Sequence, residues 1–129
     1  VPEPHGFVAA LEDAVAQLRA ADLFADTDLR QLQLPGVWVR LDALVGPVLA
    51  GGVAGRARAQ VSVYAIVKPT DSTRDLESLQ PLVEATAAVI PPMSDLRHVA
   101  LVLPAGGTPA PALVYHHDLL IQSGEDATP

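Results

Sequence analysis

Four histidines are the side chains best matched to acid–base or metal chemistry near neutral pH, because imidazole ordinarily titrates there. His116 and His117 are adjacent in a segment that reads as a strand, so they point to opposite faces and cannot easily share one ion. His116 and Asp118 do fall on one face, and His98 on a neighbouring strand would complete a three-ligand site. Sheet histidines held by structural hydrogen bonds give the same pattern, and that plainer reading is favoured. No metal and no cofactor are expected.

Nucleophilic chemistry finds less support. Ser62, Ser72, Ser78, Ser94 and Ser123 all lie outside the Gly-x-Ser-x-Gly pattern that would lift a hydroxyl onto a strained turn. Ser72 is better explained as a helix cap. Glu12 and Asp13 are adjacent on an exposed helix face, where solvation accounts for them. Gly51-Gly52-Val53-Ala54-Gly55 lacks the Lys-Ser/Thr of a phosphate-binding loop and does not stand between a clear strand and a helix. No catalytic residue is therefore expected, and the chain reads as non-enzymatic.

Guanidinium groups offer binding instead. Strand alternation puts Arg56, Arg58, Gln60 and Ser62 on one face, and Arg40 extends that patch if its strand pairs with theirs. Such a set could meet DNA phosphate or the carboxylates of a neighbouring subunit. The excess of acid elsewhere favours the subunit contact. Trp38, on the same face as Arg40, either packs under the first helix or anchors an interface.

These side chains need elements to hold them. Phe7, Val8, Leu11, Val15 and Leu18 recur at helical spacing in a segment from about His5 to Phe24, whose Leu23-Phe24 end should close against the sheet. Ala25 to Asp28 reads as a polar connection, and Pro35-Gly36 as a turn into the strand Val37 to Leu41, with Val37, Val39 and Leu41 inward. Asp42 to Gly55 reads as a long loop, either hairpin or crossover, with Val48, Leu49, Gly51 and Gly52 as its interface candidates. The best strand is Arg56 to Val67, with Val61, Val63, Ala65 and Val67 on its dry face.

After Pro69, Asp71-Ser72-Thr73 opens a second helix with the stripe Leu76, Leu79, Leu82, Val83, Thr86 and Ile90; Pro81 should kink or divide it. A short strand, His98 to Leu103, and a longer one, Ala112 to Ile121, follow. Both faces of the last one carry apolar residues, so its inner face stays open between Leu113/Tyr115/His117/Leu119/Ile121 and Ala112/Val114/His116/Asp118/Leu120. The segment 122–129 reads as a flexible acidic tail. The order predicts one α/β domain of the α+β kind over residues 1–129, a small mixed and mainly antiparallel sheet flanked by two helices.

Half of the 129 residues are hydrophobic and 18% are charged, so a packed core is affordable without metals or bridges. Cysteine is absent, which removes disulfide and thiolate chemistry. The formal charge of -7 disfavours loose binding to nucleic acid or anionic membrane. The opening Val1-Pro2-Glu3-Pro4-His5 lacks a signal-peptide pattern, and every apolar run is interrupted short of a membrane span. A soluble intracellular protein is expected.

Three stretches stand out together: the opening helix into Leu23-Phe24 with Pro35-Gly36-Val37-Trp38-Val39; the strand ending at Val67 with Pro69-Thr70-Asp71, Asp75-Leu76 and Pro81-Leu82; and Leu103-Pro104 with Gly106-Gly107-Thr108-Pro109-Ala110-Pro111-Ala112-Leu113. In these the chain, taken as a whole, resembles the tail-terminator proteins of long-tailed actinobacterial phages. The resemblance implies a hexameric ring at the head–tail junction of a virion, made in the bacterial host cytoplasm. It would sit on the tail-tube protein, end tube polymerisation and face a head-side stopper or connector, with genome DNA passing through its lumen without sequence-specific binding. Acidic residues near that lumen would keep DNA from adhering. The alternatives are another neck protein, either a stopper or a head-completion connector, and a soluble ligand-binding α/β domain.

Overall fold

The computed structural model describes residues 7–45, 55–69, 72–104 and 106–123, fixing the backbone alone at 7, 44–45, 55–58, 72–73 and 120–123. Helix α1 (Phe7–Ala20) leads into a two-residue strand β1 (Ala25–Asp26) and a 3-10 turn (Leu29–Gln31). Strands β2 (Gly36–Val45) and β3 (Gly55–Ile66) precede helix α2 (Ser72–Val89), and β4 (Arg97–Leu101) and β5 (Ala110–Ser123) end the described fold. The sheet order is β1-β2-β3-β5-β4, and every pair is antiparallel except β1 with β2.

Central β3 organises this sheet. Its run of alternating small and β-branched residues suits a strand paired on both sides. Val61, Val63, Ala65 and Val67 are all buried as the alternation predicts. Both helices pack on this same face, so the domain has two layers. Ala14, Val15 and Leu18 of α1 meet Val37, Val39, Val61, Val63 and Tyr115, with Ile90 closing the cluster from the end of α2. Tyr115 and Leu119 settle the open question about β5: their parity faces the helices, and Ala112, Val114, His116 and Asp118 face away.

Several expectations need correction. Helix α1 stops at Ala20, short of Leu23-Phe24. Leu23 N–H donates to Leu18 O (3.2 Å) and Asp22 N–H to Arg19 O (3.0 Å), while Asp22 takes a positive φ of 65°. That is a Schellman termination with an aspartate where glycine is usual, a position a short polar side chain tolerates. Phe24 is left exposed. Val8, assigned to the core stripe, is 57% exposed, because Ala10 and Ala14 carry the contact with the sheet. Leu76 of α2 is likewise exposed.

The connection after α1 is more than polar. Ala25-Asp26 pairs with Val37 and Trp38, and Asp28 caps the 3-10 turn by accepting from Arg30 N–H. The Arg30 side chain, hydrogen-bonded to the Asp28 carboxylate, holds that carboxyl below its ordinary pKa. Strand β2 runs four residues past Leu41 to Val45 and pairs antiparallel with β3, so the connection between them is a hairpin. Of the expected Asp42–Gly55 loop, residues 42–45 and Gly55 belong to strands, and the interface candidates Val48, Leu49, Gly51 and Gly52 lie outside the described residues. Helix α2 passes through Pro81 as one element of 18 residues instead of dividing. Strand β4 ends at Leu101, two residues early, and β5 continues to Ser123, so the first two residues of the expected tail are paired with β3. Residues 124–129 lie outside the described residues.

Among the described residues, buried polar side chains are matched. Thr86, fully buried, donates to Leu82 O at 2.7 Å within its own helix. Tyr115, 1% exposed, donates its phenol to Ile90 O at 2.5 Å, tying β5 to the end of α2. Burial pushes the Tyr115 phenol above its ordinary value near 10. The folded chain therefore keeps this proton at a pH where the unfolded chain has lost it. Stability from Tyr115 should be intact below pH ~10 and decline above it by up to ~1.4 kcal/mol per pH unit. Chemical denaturation from pH 8 to 11.5 should show that decline relative to Tyr115→Phe, which itself should cost about 1 kcal/mol at pH 8. Parallel pH profiles for the two proteins would count against the assignment.

Candidate functional site

Away from the helices, the sheet has a second face in two parts. Near the start of β2 it is apolar: Ile66, Ala110 and Ala112 are buried there beneath Leu29, Leu32, Leu34 and Leu103. Trp38 belongs to this cluster. It lies on the face opposite α1, stacks on Tyr64 at a ring separation of 4.8 Å and donates its indole N–H to Thr27 O at 3.0 Å. Packing under the first helix is thus excluded. Its partial cover comes from the 27–34 segment and Tyr64.

Further along the strands the face turns polar, in a grid set by register. Arg40 of β2 is opposite Ser62 of β3, and Ser62 is opposite His116 of β5. A bulge between Leu41 and Ala43 adds Asp42 to β2 as the extra residue. Bulges re-aim side chains, and here Asp42 points back into the row. Its carboxylate accepts from Ser62 Oγ at 2.5 Å, lies 3.5 Å from His116 Nδ1 and pairs with Arg40 Nε at 3.6 Å. Arg40 also donates to the Tyr64 hydroxyl at 3.4 Å. A cleft of about 460 Å3 opens over this cluster, bordered as well by Asp95, Arg97 and Val99.

Serine, histidine and aspartate together invite comparison with a hydrolase triad, and the geometry argues against it. In a triad the imidazole stands between hydroxyl and carboxylate and takes the hydroxyl proton. Here the Ser62 hydroxyl donates its hydrogen bond directly to Asp42, and His116 lies beside both at the outer limit of hydrogen bonding. Ser62 is only 4% exposed and sits mid-strand, with its neighbours locked in ladder pairs. A carboxylate holding a buried hydroxyl, and held in turn by an arginine, is what fastens a bulge to the next strand.

The remaining sequence candidates distribute as follows. His98 is opposite Leu113, which puts it on the helix side, away from His116. Among the described residues no group of three or more His, Asp or Glu could hold a metal ion. His117 Nδ1 is 2.7 Å from Pro91 O, an acceptor, so this nitrogen carries the proton. Gln60 lies on the polar face between Asp118 and Ala43. Arg56 and Arg58 are in β3 opposite Gln122 and Leu120, with side chains outside the described residues. Strands β2 and β3 do pair, yet Arg58 is four positions along β3 from the partner of Arg40, about 13 Å away. Arg40 instead joins Asp42, Ser62 and His116, a group the sequence concealed because Asp42 read as loop.

No protein-family model matches the chain, and no curated protein matches it. Among the described residues no helix is long and apolar enough to cross a membrane.

The Asp42–Ser62 bond makes a measurable prediction. Each of Asp42→Ala and Ser62→Ala should cost about 1–2 kcal/mol in chemical denaturation, and the double variant should cost less than their sum by about 1 kcal/mol. A fluorophosphonate probe should leave Ser62 unlabelled. Strictly additive losses, or labelling at Ser62, would reject the structural role.

Proposed function

We propose that the protein is a structural virion component that assembles as a hexameric ring, caps the tail tube, ends its polymerisation and joins the tail to a head-side connector. The observation that carries this reading is the helix-free sheet face, where Arg40, Tyr64, Trp38 and Gln60 are presented beside a polar cleft built without a catalytic arrangement. Partly exposed arginine and aromatic side chains on a rigid sheet are the residue types that anchor protein interfaces. The likeness to tail terminators, spread over three stretches of the chain, supplies the identity of the partners. Arg56 and Arg58, on the same strand beyond the bulge, are the further contacts proposed for a neighbouring subunit. The ring number, the virion location at the head–tail junction and the passage of DNA through the lumen rest on that likeness.

A second reading is favoured by a separate observation. An apolar cleft of about 480 Å3 lies between α2 and the start of β2, within the size range of small-molecule sites, as a ligand-binding α/β domain would require. A stopper or head-completion connector would use the same exposed face on a different partner.

Native mass spectrometry of the chain, alone and mixed with tail-tube protein, separates these readings. Six copies of 13.5 kDa give about 81 kDa, and that species, formed alone or on tube protein, is the expected result. Reversing Arg56 and Arg58 to Glu should abolish it while far-UV circular dichroism stays unchanged, since lost buried interface pairs cost about 2–5 kcal/mol each. A monomer indifferent to tube protein would overturn the terminator reading.

A further inference from the structure

The apolar cleft that favours a ligand also fits a piece of this chain. Leu23, Pro35, Val67, Pro81, Leu82 and Ala85 line it, and among the described residues lining it Lys68 alone is charged. At the opposite end of the β2–β3 hairpin, residues 46–54 read Gly-Pro-Val-Leu-Ala-Gly-Gly-Val-Ala, without one charged or hydrogen-bonding side chain. In a chain carrying 15 acidic and 8 basic residues, such a segment is costly to leave in water and calls for an apolar cover. We infer that the 46–54 segment of one copy docks in the Leu23–Pro35–Leu82 cleft of a second copy, giving a head-to-tail contact.

Reach decides between the chain's own cleft and a neighbour's. Pro35 adjoins the first residue of β2, whereas the segment begins after its last, Val45. Ten strand residues separate them by roughly 30 Å. A nine-residue segment tied at both ends can extend only about 15 Å from its anchors. It therefore falls short of its own cleft, so docking in this cleft requires a second copy. Charge permits it: an uncharged segment brings no ion into the apolar cleft, and Lys68, exposed at its border, keeps its water. Because Val45 and Gly55, which flank the segment, lie at the end of the β2–β3 pair opposite the cleft, each copy can give one contact and receive one, the heterologous arrangement that closes rings.

This inference rests on the proposed self-assembly and adds the residues that join one copy to the next. The absence of cysteine makes it directly testable. Leu49→Cys and Ser78→Cys, the latter an exposed position bordering the cleft, should be made singly and together. Under a short bismaleimide, the doubly substituted chain should give a covalent ladder, and a mixture of the two single variants should give a dimer linked from 49 to 78 by peptide mapping. Leu49→Asp, with an unpaired charge in the segment, should lower the oligomer population by about tenfold or more while the monomer stays folded. Oligomers in native mass spectra without the 49–78 link, and unaffected by Leu49→Asp, would overturn the inference and leave the ring proposal standing. Monomers under every condition would overturn both. A ladder of open, indefinite length would support the docking and count against a closed ring.

Discussion

Pairing of β3 with β2 on one side and β5 on the other is the constraint on which the rest of the structure depends. Twelve residues of β3 are in continuous register with β5, and nine pair with β2 across a single bulge. A shift of one residue in either ladder would turn Val61, Val63 and Ala65 to the wrong face and bring Ser62 and Tyr64 under the helices. Burial of that valine face is therefore what fixes the register. Once it is fixed, the positions of Arg40, Ser62 and His116 in one row follow with no further choice.

The helices and the bulge depend on that register in different ways. Helices α1 and α2 need only an apolar surface of the right width, and small side chains such as Ala10, Ala14 and Ala59 let α1 approach closely. Asp42 needs more. As an extra residue in β2 it would disrupt the ladder, and the loss is offset by bonds from its carboxylate to Ser62 and Arg40 across the strands. A polar network on a sheet face thereby takes on a structural duty that packing performs on the other face. It also brings the Arg40 guanidinium within 3.4 Å of the Tyr64 hydroxyl on the exposed face.

How much of this was legible in the sequence follows from how local each signal is. The valine alternation in β3, the Leu11/Val15/Leu18 stripe and the Pro35-Gly36 turn are local, and each element formed where they place it. The end of α1 was misread because an Asp at the left-handed position, Asp22, sends no signal as clear as glycine does. Strand β1 is two residues long and exists only because β2 is beside it, so no pattern within it could announce it. The polar cluster was illegible for the same reason: Asp42, Ser62 and His116 are 20 and 54 residues apart, and a bulge brings them together. Alternation did place Arg40 on the right face, but the distance between Arg40 and Arg58 is a matter of register, which residue patterns do not encode.

The edges of the sheet bear on how such a molecule can associate. Unpaired strand edges invite indiscriminate pairing with other chains, and short or covered edges prevent it. Here β1 offers only two residues, and β4 only five. Beyond β4, the edge of β5 is occupied by the chain leaving α2: Met93 N–H donates to His116 O at 2.8 Å, and His116 N–H donates to Ser94 Oγ at 2.9 Å. Edge-to-edge growth of the sheet is therefore poorly served along these positions. What the described fold leaves available includes the outer edge of β2 past Trp38, the helix-free face and the two ends of the sheet, which differ in chemistry, one carrying an apolar cleft and the other the last residue of β2 and the first of β3. On the proposed self-assembly, two unlike ends would suit directional contacts between copies better than symmetric pairing of identical patches.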